Sequence, residues 1–132
     1  MIEFRVEGQP VSQGSMKVIN GHIIHSQGSA LAAWRSSIAL AARQAGARPT
    51  REPVTITMSF IFLKPKTVKR EYPSVPPDLD KLVRAVLDAM TAIAYVDDAQ
   101  VVEIYAKKSY GLVPGVKIQV AEKELVLPTP QK

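Results

Sequence analysis

Two aspartates separated by one residue, Asp78-Leu79-Asp80, stand directly after Pro77 at what reads as the start of a helix. Carboxylates at i and i+2 point the same way only while the chain is extended, and Pro77 keeps the segment before it extended. A carboxylate pair at the positive end of a helix dipole suits a hard divalent cation such as Mg²⁺, which binds through carboxylates and keeps several waters. A second acidic pair, Asp97-Asp98, falls in the turn expected between that helix and the next strand. A helix–turn–strand return would bring it back near Asp78 and Asp80. Plain structural roles compete with this chemistry: an N-cap for Asp78, a dipole partner for Asp80, a β-turn for Asp97-Asp98. Like charges gathered in one place, however, are unfavourable unless a cation or several donors offset them. Arg84 lies one helical turn from both Asp80 and Asp88, so the three share a face. That spacing serves a surface salt bridge as well as it serves a catalytic cation.

Upstream runs Lys64-Pro65-Lys66-Thr67-Val68-Lys69-Arg70-Glu71-Tyr72-Pro73-Ser74-Val75-Pro76-Pro77, which holds four of the ten prolines. No regular element survives such a run, and a connection of this length inside a small domain is functional or disordered. Lys64, Lys66, Lys69 and Arg70 offer positive charge beside the acidic site, Tyr72 a ring on which an unpaired base can stack, and Lys107 and Lys108 further cations. Phosphate contacts of this kind position DNA without reading its sequence. The competing reading of the charge run is a solvated loop.

The elements that must position these residues follow from periodicity. Ile2, Phe4 and Val6 alternate with Glu3, Arg5 and Glu7, a half-buried strand over about 2–8. Lys17–Ile19 and His22–His25 flank Asn20-Gly21, the hairpin dipeptide. Leu31, Trp34, Ile38, Ala41 and Ala42 mark a helix over 27–46 with Gly46 as its C-cap. The run from Pro53 to Leu63 reads as the longest strand and a central one. A second helix runs from about Asp78 to Ile93 on a stripe of Leu79, Leu82, Val83, Val86, Leu87 and Met90. Strands over 100–108 and 115–122 close the chain, with Leu112–Gly115 turning between them. Trp34 reads as core or dimer contact, His22 and His25 as strand ends rather than metal ligands, and Ser12 and Ser15 as lacking a partner base. The expected fold is α/β (α+β): a single two-layer domain over 1–127, a mixed sheet of four to six strands with two packed helices, and a flexible tail over 128–132.

Composition narrows the classes. At 132 residues there is room for one domain. Seventeen Lys and Arg against twelve Asp and Glu give a net charge of +5, which points to polyanionic partners. With no cysteine and two histidines, disulfides, thiol nucleophiles and cysteine-bound metals are excluded, and any metal is held by oxygen. The first residues resemble neither a signal peptide nor a membrane span, so a cytoplasmic protein without membrane contact is expected.

The stretch Pro77-Asp78-Leu79-Asp80-Lys81-Leu82-Val83-Arg84-Ala85-Val86-Leu87-Asp88-Ala89, followed by Tyr95-Val96-Asp97-Asp98-Ala99-Gln100-Val101-Val102, resembles the RusA family of Holliday-junction resolvases. Gly8-Gln9-Pro10-Val11-Ser12-Gln13-Gly14 is more weakly similar to the family's opening. The resemblance implies a RusA-like fold and a small homodimer, of bacterial or prophage origin, that cuts four-way DNA junctions symmetrically in recombination and repair. It implies Mg²⁺ as cofactor, with Mn²⁺ as a substitute and no organic cofactor. It places metal-binding carboxylates at Asp78, Asp80 and Asp98, with Asp97 and Lys81 in supporting positions. It puts Arg84 where the family has a catalytically important lysine, and Lys81 where asparagine is common. Arg does not release its proton under ordinary conditions, so Arg84 fits a role in steadying phosphate charge rather than in proton transfer. The alternatives are a branched-DNA binder that has kept the fold without cutting, and a flap or fork nuclease.

Overall fold

A computed structural model describes residues 1–14, 16–25 and 28–124. Six strands and two helices appear in the order β1 (Ile2–Glu7), β2 (Met16–Ile19), β3 (His22–His25), α1 (Gly28–Gln44), β4 (Val54–Leu63), α2 (Leu79–Met90), β5 (Val101–Gly111) and β6 (Gly115–Glu122). The sheet order is β1-β6-β4-β5, with β2 and β3 forming a separate antiparallel ribbon. β6 pairs antiparallel with both β1 and β4, and β4 pairs parallel with β5. This is the mixed sheet and two-helix α+β domain that the periodicities imply. Among the described residues no helix is long and apolar enough to cross a membrane.

Alternation builds one face of the sheet. Val54, Ile56, Met58, Phe60 and Phe62 of β4, Val116, Ile118 and Val120 of β6, and Phe4 and Val6 of β1 are all buried. Leu31, Trp34, Ile38 and Ala42 of α1 join them, as do Leu82, Ala85, Val86, Ala89 and Met90 of α2. Each buried Val, Leu, Ile, Phe or Met among them contributes roughly 1.5–3 kcal/mol, whereas the exposed pairs Lys117–Glu3 and Lys123–Glu103 contribute at most about 1 kcal/mol each. Burial therefore holds the sheet, and the ion pairs decorate it. Gly115 lets β1 approach β6: a Cβ there would lie 2.3 Å from the Val6 carbonyl oxygen.

Several expectations are corrected, met or placed outside the described residues. β5, with 11 residues, exceeds β4, with 10; its alternation continues through Lys108 and Tyr110 to Gly111. β4 is nevertheless an inner strand, as expected. α2 ends at Met90 rather than Ile93, because the Thr91 hydroxyl donates to the Leu87 carbonyl and Ala92 turns to φ +67°. Its most buried face includes Ala85 and Ala89, while Leu79, Val83 and Leu87 are only partly covered. The Asn20-Gly21 hairpin and the Gly46 C-cap take the positive φ their residues favour. The tail at 128–132, Ser15 and the side chains of His22 and His25 fall outside what is described.

Candidate active site

α2 and the loop before it carry the first two carboxylates. Asp78 occupies the N-cap position with extended backbone, φ −68° and ψ 140°, yet its side chain caps no backbone N–H. It makes a long ion pair of 3.9 Å with Lys81. Asp80 lies in the first turn of the helix and is exposed. The capping role is therefore unfilled, and both carboxylates remain open to a ligand at the positive end of the α2 dipole.

The third carboxylate is reached through a tight return. Asp97 caps the 3₁₀ turn Asp98–Gln100 by accepting from the Ala99 N–H, while the Gln100 side chain accepts from the Asp97 N–H. The Gln100 amide also donates to the carbonyls of Thr50 and Glu52. This fixes the turn beside the start of β4. Asp97 thus takes the structural role, and among the described residues the side chains of Asp98 and Asp80 have no hydrogen bond or ion pair.

The return ends far from Asp78. Tyr95, fully buried, donates to the Leu87 carbonyl at 2.7 Å, so the turn packs on the C-terminal half of α2. Pro77 sits instead at the other end of β5, where its carbonyl accepts from Lys108. At about 3.3 Å per residue, Val101 and Lys108 are about 23 Å apart along the strand. Among the described residues no group of three or more Asp, Glu or His side chains is arranged to hold a metal ion. One chain brings Asp78 and Asp80 together and leaves Asp98 at the opposite end of the helix.

Burial pushes the Tyr95 hydroxyl well above its ordinary value of 10.0; a Thr91 hydrogen bond opposes the shift, and the negative charges of Asp98 and Asp88 add to it. Above pH 10 the unfolded chain loses this proton while the folded chain keeps it, so stability falls as pH rises through that range. Tyr95→Phe is expected to cost about 1 kcal/mol at neutral pH and to flatten the alkaline decline, both read from urea unfolding at pH 7 to 11.

The face shared by Asp80, Arg84 and Asp88 resolves as well. Asp88 pairs with Arg35 of α1 at 3.0 Å, and Arg35 also donates to the Gln13 side chain. Arg84 is exposed and, among the described residues, has no partner. No salt bridge within α2 accounts for it. The Gln13 N–H donates to the Lys81 carbonyl at 3.1 Å, which sets the segment after β1 beside the first turn of α2.

The proline-rich loop is fastened at its end and its middle. Lys108 donates to the carbonyls of Val75 and Pro77 at 2.9 and 2.8 Å, and Arg70 donates to the Tyr110 hydroxyl at 2.9 Å. Lys108 is thus engaged as a clasp, while Lys64, Lys66, Lys69, Tyr72 and Lys107 are exposed. Periodicity missed Tyr110, because the expected strand stopped at Lys108, and gave Gln9 no role. Continued alternation beyond Ala106 was the signal for Tyr110.

Residues 7–121 match the family model described as endodeoxyribonuclease RusA. The chain belongs to the RusA endodeoxyribonuclease family. A similar protein is the uncharacterized protein YqaN of Bacillus subtilis (strain 168), 30% identical over 138 aligned residues, covering 92% of this chain and 96% of the relative. The RusA match spans every strand of the four-stranded sheet at least in part, both helices and all three aspartates. The two stretches whose resemblance was visible in the sequence meet where Gln13 joins Lys81.

Proposed function

We propose that the protein is a Mg²⁺-dependent, structure-selective endodeoxyribonuclease that resolves four-way DNA junctions as a homodimer in recombination and repair. The observation that carries this reading is the pair of uncapped carboxylates, Asp78 and Asp80, at the start of α2 in a RusA-family chain. Exposed carboxylates that cap no backbone N–H fit a hard cation, and a protein that only bound DNA would gain nothing from negative charge facing phosphates. Asp98, too distant within its own chain, joins them from a second copy. Asp78 and Asp80, with Asp98 of the second copy, would hold the Mg²⁺, which would supply activation of a water and neutralisation of charge on the leaving oxygen. Arg84, one turn beyond Asp80 and without a partner among the described residues, presents a guanidinium fork to a phosphate oxygen pair.

β5 supports the dimer. It is an open edge strand of 11 residues, and Val102, Ile104 and Tyr105 are 59%, 43% and 67% exposed. Long apolar edges are avoided in monomers unless something covers them. Antiparallel pairing of two β5 edges about a two-fold axis sets the start of one strand against the end of the other. The Asp98 turn of one chain then approaches the partner's Pro77-Asp78 corner, and two identical sites face two strands.

The test is cleavage of a synthetic mobile four-way junction with and without Mg²⁺, beside linear duplex of equal length and a flapped duplex. Paired symmetric nicks that require Mg²⁺ and spare the duplex are expected. Tight junction binding without cuts replaces the enzyme by a binding protein, and equal or faster cutting of the flap replaces junction resolution.

A further inference from the structure

A pocket of about 160 Å³ lies between the proline-rich loop and the adjoining ends of the parallel strands β4 and β5. Its walls include Phe62 and Tyr110 from the strands and Pro73, Pro76 and Pro77 from the loop, with Arg70 at its side. The pocket is well below the roughly 300–1,000 Å³ of sites for drug-sized ligands, a size for a single ring system.

Charge says which ring. The Lys64 ammonium lies 5.8 Å and the Arg70 guanidinium 5.9 Å from the centroid of Tyr110. Among the described residues neither cation has an acidic partner. Arg70 is held at the Tyr110 hydroxyl and Lys64 lies nearer its ring; two cations gathered at one tyrosine repel each other unless an anion joins them, so the pocket favours a flat group that carries negative charge. A nucleobase attached to its phosphate is such a group: aromatic side chains stack it without regard to sequence, and basic residues follow its backbone.

Position says whose base. Pro77 lines the pocket and precedes Asp78 directly. A second hollow, of about 320 Å³, shares Gln9, Pro76 and Pro77 with the first and continues to Pro10 and Ser12. The two make one groove that passes the start of α2. The geometry points to a seat for one unpaired nucleobase of a DNA strand, stacked near Tyr110, flanked by Lys64 and Arg70 and opening beside Asp78. This rests on the nuclease reading above and deepens it: a base drawn from the stack there holds its strand in register with the carboxylates. Enzymes that act on stacked nucleotides meet the same need by extruding them.

The test measures affinity in Ca²⁺ by fluorescence anisotropy, using four-way junctions in which single nucleotides around the crossover are replaced by abasic sites. With the unaltered protein, an abasic site at one position is expected to weaken binding about tenfold, the scale of one base–aromatic stack. Val75→Trp, which fills the pocket, is expected to weaken binding of the intact junction by a similar factor and to make that abasic site silent. Arg70→Ala should act in the same direction, and thermal unfolding verifies that both variants fold. Equal abasic effects in the unaltered and Val75→Trp proteins, or full affinity in Val75→Trp, would overturn the assignment.

A second arm separates this inference from the junction reading. If the protein prefers no junction over duplex, that reading fails, and the seat is judged on single-stranded oligothymidylate. Binding lost in Val75→Trp supports the seat, and binding retained there removes it. Thymidine monophosphate binding as tightly as the oligonucleotide makes the pocket a mononucleotide site and overturns the assignment to a DNA strand.

Discussion

Asp80→Asn is expected to lower Mg²⁺-dependent junction cleavage by a factor on the order of 10³, the equivalent of several kcal/mol of lost charge stabilisation in the transition state. Binding should persist or strengthen, because one negative charge facing the phosphates is gone. Stability should stay within about 0.5 kcal/mol, since the Asp80 side chain is exposed and makes no contact on which the fold depends. A single-turnover cleavage assay, a gel shift in Ca²⁺ and a thermal melt read the three outcomes together. Cleavage that survives the substitution at more than a tenth of its rate would place the metal elsewhere.

Mixing two inactive variants should restore activity. If Asp98 reaches the partner's Asp78 and Asp80, a heterodimer of Asp80→Asn and Asp98→Asn chains has one site with both defects and one site intact. Random mixing makes half of the dimers mixed, so about a quarter of the normal sites revive. The product is single nicks rather than paired cuts. If all three carboxylates came from one chain, each mixed dimer would hold two damaged sites, and the mixture would be as inactive as its parts. The choice between the two arrangements is thus read from one gel, without a structure of the dimer.

Much of this was legible in the sequence because local physics and tertiary context agree over most of the chain. The alternation in β1, β4 and β6 found the buried face, and the stripes of α1 and α2 found the helices that cover it. Asn20-Gly21 announced its hairpin. Agreement ended where one element's fate depends on another's position. Val102 and Ile104 alternate as a buried set would, yet they are exposed, because β5 lies at the edge of the sheet. The separation of Asp98 from Asp78 is of the same kind: spacing shows that a return exists, whereas the parallel pairing of β4 with β5 decides at which end it closes. Residue types alone could not tell that Lys108 ties down the loop while Lys107 stays in solvent. Arg84 and Asp88 share a helix face, and only the packing of α1 on α2 reveals that Asp88 turns to Arg35.

The strand order carries a consequence for how the molecule comes into being. β6, the last strand among the described residues, lies between β1 and β4 in the sheet. A ribosome that has released everything through β5 has therefore exposed a first strand with no neighbour and a helical layer with half of its floor missing. Such distant pairing delays folding until the late segment arrives. The aspartates at 78, 80 and 98 are all synthesised before that moment, so a growing chain holds every acidic group of the proposed site but no scaffold to align them. If the chain cuts DNA as proposed, that activity waits for β6, and a message broken before β6 yields a product without a finished sheet.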